Sequence, residues 1–307
     1  MNNLINKELI DDLKNILAAD DIKINEPMKN HTYFKIGGNV DLLLIPANVD
    51  QLLEAVKLLQ KHGEKPIVIG NGTNLLVSDK GIRGVVIKIS KKMSNIAVEG
   101  DKIVADSGCL LSQIASKALE NALEGFEFAG GIPGSLGGAI AMNAGAYDGE
   151  MKDVIDSVVC MNKEGELFEL SNEKLKFSYR HSAIQAEDLI VLQAKIKLQK
   201  GDAAAIKAKI DDFAERRITK QPLNMPSAGS TFKRPIGDYA SRLIEANGLK
   251  GLRYGDAQVS EKHCGFIVNV GEAKCQDVMR LISVIQKTVK DQSGIELCPE
   301  VKIIGEI

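Results

Sequence analysis

Residues 130–146 read GGIPGSLGGAIAMNAGA, a run so poor in side-chain bulk that its backbone can lie directly against something large. Glycine permits tight turns and close approach of main-chain N–H groups, which are natural partners for phosphate oxygens. A second loop, Gly70-Asn71-Gly72-Thr73-Asn74, follows directly on the apolar run Ile67-Val68-Ile69. Either loop alone reads equally well as a tight corner, but the two together predict one extended, phosphate-bearing cofactor. Familiar templates do not fit. Leu75 stands where a dinucleotide fingerprint needs its third glycine, no G-x-x-x-x-G-K-[ST] stretch occurs, and Ser135 lacks the first glycine of a nucleophile elbow.

The rest of the composition narrows the class. At 307 residues, with 44% hydrophobic and 26% charged residues, the chain is expected to form an enzyme-sized globular body. A net charge of −2 gives no general attraction to nucleic acid or to an acidic membrane, so an anionic ligand must be held locally. Without a signal-peptide core or an apolar run of membrane-spanning length, the chain is expected to be cytoplasmic. Cys109, Cys160, Cys264, Cys275 and Cys298 form no C-x-x-C pair, and buried reduced thiols are expected. The four histidines are dispersed, and no metal site is expected.

Periodicity predicts an N-terminal helix over residues 1 to about 20, with Leu4, Ile5, Leu9, Leu13, Ile16 and Leu17 as its stripe. It then predicts a strand over 40–46 and a helix opened by an Asn48/Gln51 capping box. Strands at 67–69, 75–77 and 85–89 complete a small α+β unit. A strand-rich unit follows, with strands near 95–98, 103–106, 154–161, 166–170 and 189–198 and a helix carrying Leu111, Ile114 and Ala118. After Gly201-Asp202 come helices through Ile206, Ile210 and Phe213, over 239–246 and over 273–292, and strands near 266–270 and 301–304. The implied domains are a terminal helix (1–22), two lobes (23–93 and 94–200) and a C-terminal domain (201–307).

Several constellations can carry chemistry. Arg180, next to Tyr179, offers a planar two-point fork suited to a carboxylate, although a surface arginine packed on a ring has the same sequence. Residues 227–235, SAGSTFKRP, combine small residues, hydroxyls and the cations Lys233 and Arg234, and could hold an anionic substrate and offer the Ser230 proton. Glu300 follows Cys298-Pro299, where proline favours an extended chain.

Six motifs in order then give a resemblance: HTYFKIGG at 31–38, Gly70 to Leu75, GGIPGS at 130–135 continuing to Asn143, Tyr179-Arg180, Gly229-Ser230, and Pro299-Glu300. Over nearly its whole length the chain resembles the UDP-N-acetylenolpyruvoylglucosamine reductase family. The resemblance implies an α+β fold: an FAD-binding domain of the PCMH or vanillyl-alcohol-oxidase type in two lobes, then a substrate-binding domain. With no tyrosine between Tyr179 and Tyr239, the chain resembles the shorter subclass lacking a tyrosine-bearing insertion.

The family's FAD contacts map onto Asn71, Gly72, Thr73, Asn74 and Leu75, and onto Gly130, Gly131, Ile132, Pro133, Gly134, Ser135, Gly138, Ala139 and Asn143. Its catalytic arginine, serine and glutamate map onto Arg180, Ser230 and Glu300. Substrate contacts map onto Tyr179, Lys233 and Arg234, the last departing from an asparagine found in some members. The implied reaction reduces UDP-N-acetylglucosamine enolpyruvate to UDP-N-acetylmuramate with NADPH through FAD, in peptidoglycan synthesis. Ser230 is implied as the proton donor. Two other readings remain: an FAD-dependent oxidase on the same fold, told apart by turnover with oxygen alone, and a non-catalytic nucleotide-binding protein, told apart by failure to take up FAD.

Overall fold

A computed structural model describes residues 6–306. The chain divides into two compact units, the first gathering the chain through Ile24 with Leu42–Asn71 and Gly84–Arg217, the second Asn25–Asp41, Gly72–Arg83 and the chain from Ile218.

In the first unit an antiparallel sheet has the order Leu167–Ser171, Ile155–Met161, Ile190–Lys197, Lys102–Asp106, Ile96–Glu99. Its central strand serves two cores. Val159 pairs with Gln193 but Cys160 pairs with Val191, so a bulge at Leu192 switches which face each later side chain takes. Ile190 and Leu192 therefore join one core, while Val191, Ala194 and Ile196 join the other. Leu111, Ile114, Ala115 and Ala118, at helical spacing on Leu111–Glu120, pack on the second of these.

The other core lies under helix Val49–Lys61, which buries Leu52, Ala55, Val56 and Leu59. The Asn48 side chain caps this helix by accepting from the Gln51 N–H at 2.9 Å. Gln51 Oε1 accepts in return from Ala47, one residue before the expected capping-box donor. Strand Ile67–Ile69 runs parallel to Ile82–Lys88, with Ile67, Val68 and Ile69 opposite Val86, Ile87 and Lys88. The predicted N-terminal helix is shorter than its stripe suggested. It spans Lys7–Leu13 and is followed by a 3-10 turn at Ala19–Asp21, because Asn15 and the Asp20-Asp21 pair favour turns; Leu9, Leu13 and Leu17 are buried in the core and Ile16 packs at its edge. Leu4 and Ile5 lie outside the described residues.

The second unit is organised by helix Cys275–Ser293, whose Val278, Leu281, Ile282, Ile285 and Val289 form one buried stripe. Burying such a side chain contributes about 1.5–3 kcal/mol. The stripe packs with Ala257, Val259 and Ile267 from the sheet Arg253–Tyr254, Ala257–Val259, Ile267–Asn269, and with Leu243 and Ile244 of helix Ala240–Ala246. In the same unit Lys302–Ile304 pairs in parallel with Leu75–Val77. Among the described residues no helix is long and apolar enough to cross a membrane.

Candidate active site

The two glycine loops meet inside the first unit. Strand Ile67–Ile69 delivers Gly70 against Ser135, so closely that a Cβ on Gly70 would stand 2.4 Å from Ser135 Oγ. Asn71 Nδ2 donates to Pro133 O at 3.2 Å. The loop then enters a helix that periodicity did not foresee, Leu136–Ala141. Glycine disfavours helix, and tertiary contacts impose this one: the Leu136 and Gly137 N–H groups donate to Cys109 O and Ser107 O, both at 2.9 Å.

Arg217 completes the wall. Its Nη1 donates to Gly131 O at 2.5 Å, and a Cβ on Gly131 would lie 3.2 Å from its Nε. One helical turn earlier, Phe213 stacks on Tyr147 with centroids 4.3 Å apart, and the Tyr147 hydroxyl donates to Phe213 O at 3.0 Å. These contacts fix the helix face that Arg217 shares at i, i+4 spacing. Among the described residues Arg217 Nε is buried with no hydrogen-bond partner, and so is Ser107 Oγ beside Gly137. Orphaned buried polar groups are rare in folded proteins. Two of them flanking side-chain-free backbone fit an anionic group such as the diphosphate of FAD. In the sequence Arg217 is one of several cations ahead of the SAGSTFKRP loop, with nothing to tie it to residues 130–135, and Ser107 carries no signal of its own.

Asn143 is fully buried. Its Nδ2 donates to Glu150 Oε2 at 2.7 Å and to Ser178 O at 3.1 Å, while its Oδ1 accepts from the Lys152 N–H at 2.9 Å. Tyr179 and Arg180 form the tip of a turn closed by Ser178 and His181, and the Arg180 guanidinium lies 4.9 Å from the exposed Tyr179 ring.

In the second unit, Ser230 is exposed, while Thr231 and Phe232 after it are buried. The Glu300 N–H donates to Thr231 O and the Lys233 N–H to Cys298 O, both at 2.8 Å, placing Ser230–Lys233 beside Cys298–Glu300. Asn74 Nδ2 donates to Glu300 O at 3.0 Å, and Asn74 O accepts from the Lys302 N–H at 2.9 Å. Gly72 O accepts from the Tyr33 N–H at 3.1 Å, within the stretch HTYFKIGG. Arg234 lies 4.1 Å from the Tyr239 ring centroid. Partial burial pushes the Lys302 ammonium below the usual lysine range, and the charge of Lys233 adds to the shift. Lys302 opens the strand Lys302–Ile304, two residues after Glu300.

A glycine cradle at a strand end, walled by a half-buried arginine and a buried serine hydroxyl in an α+β body, defines a nucleotide-cofactor-binding protein. A model of the FAD binding domain matches residues 40–171, and one of the UDP-N-acetylenolpyruvoylglucosamine reductase C-terminal domain matches residues 221–304. The chain is 54% identical over 298 residues to the UDP-N-acetylenolpyruvoylglucosamine reductase of Caldanaerobacter subterraneus subsp. tengcongensis, covering 97% of this chain and 98% of that one. It is 50% identical over 301 residues to that of Clostridioides difficile, covering 98% and 99%. Among solved structures, UDP-N-acetylenolpyruvylglucosamine reductase (MurB) from Thermus caldophilus superposes with a TM-score of 0.80 at 32% identity, covering 92% of this chain and 99% of that one. A glucose dehydrogenase, Phl p 4.0202, shares the fold at 13% identity and a TM-score of 0.51, covering 95% of this chain and 61% of that one. The chain belongs to the UDP-N-acetylenolpyruvoylglucosamine reductase family.

Proposed function

We propose that this chain reduces UDP-N-acetylglucosamine enolpyruvate to UDP-N-acetylmuramate with NADPH, in cytoplasmic peptidoglycan synthesis. The observation that carries the reading furthest is the backbone pairing of Thr231 with Glu300, which supports it by bringing the segment that carries the exposed Ser230 alongside the segment that carries Glu300, on a chain of this family.

Saturating the enol ether adds a hydride at C3 and a proton at C2. FAD, when bound, supplies the hydride drawn from NADPH. Gly70, Asn71 and the loop 130–135 hold the FAD diphosphate with Arg217, in a cradle where added Cβ atoms would collide. Gly72, Thr73, Asn74, Leu75, Gly138 and Ala139 complete the proposed cofactor contacts. Negative charge develops at C2, and Arg180 pairs with the substrate carboxylate so that the intermediate has enolate character.

Ser230 then protonates C2. A serine hydroxyl is a very weak acid, so this step works only against a strongly basic carbon at hydrogen-bond distance. Glu300 orients that proton. Lys233 and Arg234 attract the UDP diphosphate, and Tyr179 steadies Arg180 by its ring.

Stopped-flow measurement of Ser230→Ala tests the assignment. Flavin reduction by NADPH is expected to persist, while reoxidation by the enolpyruvyl substrate falls by on the order of 10²-fold or more. Reoxidation at the unaltered rate would remove Ser230 from the role of proton donor.

A further inference from the structure

Asn143 is a fully buried amide, and it holds φ +43° in the left-handed region. Asparagine tolerates that conformation better than most residues, and a buried amide costs stability unless its groups are bonded. Both Nδ2 protons and Oδ1 have protein partners, so the side chain is committed to the fold around it.

Those partners converge on Arg180. The Ser178 carbonyl that accepts from Asn143 belongs to the turn whose Ser178 and His181 exchange N–H···O bonds of 3.0 and 3.1 Å. At the tip of this turn Arg180 holds φ +56°, a backbone strain that persists only where the surroundings enforce it. The other partner, Glu150, lies opposite Gly145 in the hairpin Gly145–Ala146/Gly149–Glu150, and Gly145 O accepts from Arg180 Nη2 at 3.4 Å. Lys152 Nζ, 3.1 Å from Glu150 Oε2, braces the carboxylate that Asn143 meets, and the Asp153 carboxylate, accepting from the Glu150 N–H at 2.8 Å, holds its backbone. One amide thus touches the turn that carries the Arg180 backbone and the hairpin that receives its guanidinium.

We propose that Asn143 is a positioning residue for Arg180, clamping turn 178–181 to hairpin 145–150 so that the guanidinium is presented in one orientation. The inference rests on the role given to Arg180 above. It also assigns Asn143 to the substrate step, not to contact with FAD. Misplacing a reacting or binding group by about 1 Å can lower turnover by on the order of 10²-fold.

Two variants of the FAD-loaded enzyme test this. Asn143→Gly accepts the left-handed backbone without strain and deletes only the side chain. Asn143→Asp keeps its shape and removes both N–H donors. The expected result is a loss of about 30- to 100-fold in flavin reoxidation by the enolpyruvyl substrate. FAD bound per chain, read from visible absorbance, and flavin reduction by NADPH are expected to stay within about 2-fold. In an Arg180→Ala background neither variant is expected to add more than about 2-fold, since residues acting through one group are non-additive.

Loss of FAD, or equal slowing of both half-reactions, would overturn the proposal, as would full additivity with Arg180→Ala. Insolubility of both variants would overturn it too, by assigning the network to folding. If Arg180→Ala alone reoxidised at the unaltered rate, the reading of Arg180 itself would fall. An impaired Arg180→Ala beside unimpaired Asn143 variants would sink the positioning role alone.

Discussion

Asn71 donates its side-chain amide to the carbonyl of Pro133 at 3.2 Å, joining two glycine loops separated by 62 residues of chain. The contact puts Gly70 under Ser135 and leaves no room for a β-carbon between them. Gly70→Ala must therefore move Ser135 or the strand end. Overpacking of this kind costs about 1–3 kcal/mol, and taken from cofactor affinity that is about 10- to 100-fold in the FAD dissociation constant. Equilibrium dialysis of apoprotein against FAD reads the change. An unaltered constant would show that the cradle does not depend on the close contact.

Removing Arg217 tests the same cradle from its other wall. Arg217→Lys keeps the charge but loses the fork that reaches Gly131 O and carries the unpartnered Nε–H. Charge-assisted hydrogen bonds are worth about 1.5–3 kcal/mol, so FAD binding is expected to weaken by about 10-fold or more, with a steeper loss for Arg217→Ala. Titration of apoprotein with FAD, followed by quenching of flavin fluorescence, measures both.

The elements of this fold that close locally were legible in the sequence. The Asn48 cap, the stripe Val278-Leu281-Ile282-Ile285-Val289 and the strand ahead of Gly70 each announce themselves within a dozen residues. What was hidden depends on residues far apart. Helix Leu136–Ala141 forms against the preference of its glycines because Ser107 and Cys109 accept its first N–H groups. Arg217 joins the cradle on a helix tied down by distant residues, Phe213 stacking on Tyr147 and Lys209 pairing with Glu127. The bulge at Leu192 also leaves no mark in a run of alternating apolar residues, yet it decides which core each side chain enters.

Thiol chemistry separates the cysteines by burial. Burial pushes Cys109, Cys160 and Cys275 up to about 12 and raises Cys264 as well, whereas Cys298 is exposed next to Pro299-Glu300. Since the thiolate is the reactive form, a disulfide reagent at pH 8 is expected to titrate one thiol quickly in the native protein and all five after denaturation. A Cys298→Ser variant should lose the fast phase. A fast equivalent that persisted in that variant would contradict the assignment.

His263 links stability to pH. Its ring packs edge-on to Phe266 at 5.1 Å, its Nδ1 accepts from the Gly265 N–H at 3.1 Å, and burial holds its pKa below the ordinary 6.5. The folded state thus prefers neutral imidazole, while the unfolded chain takes up a proton as pH falls through about 6.5. This contribution to stability is fully present above that value and is lost as pH drops towards the lower folded-state value. His263→Asn keeps an acceptor for Gly265 and removes the titration. Its melting temperature should fall less than that of the parent between pH 7 and pH 5, and parallel profiles would exclude His263 as the source.

Asp79 makes the most remote of the helix caps. Its two carboxylate oxygens accept from the Cys275 and Gln276 N–H groups at 2.8 and 3.0 Å, across 196 and 197 residues of sequence. Helix Cys275–Ser293 has no capping side chain at Lys274 itself, although the Asp277 carboxylate accepts from the Lys274 N–H at 2.9 Å. A carboxylate here satisfies donors that the helix cannot and sits at the positive end of its dipole. Asp79→Ala removes both effects, and cap removal costs about 0.5–2 kcal/mol. Asp79→Asn keeps one acceptor and loses the charge, so its loss should be intermediate. Urea unfolding of the three proteins orders them, with the midpoint shifting at constant slope if the native state alone is affected. An Asp79→Ala midpoint equal to the parent's would mean that solvent caps the helix as well as the carboxylate does.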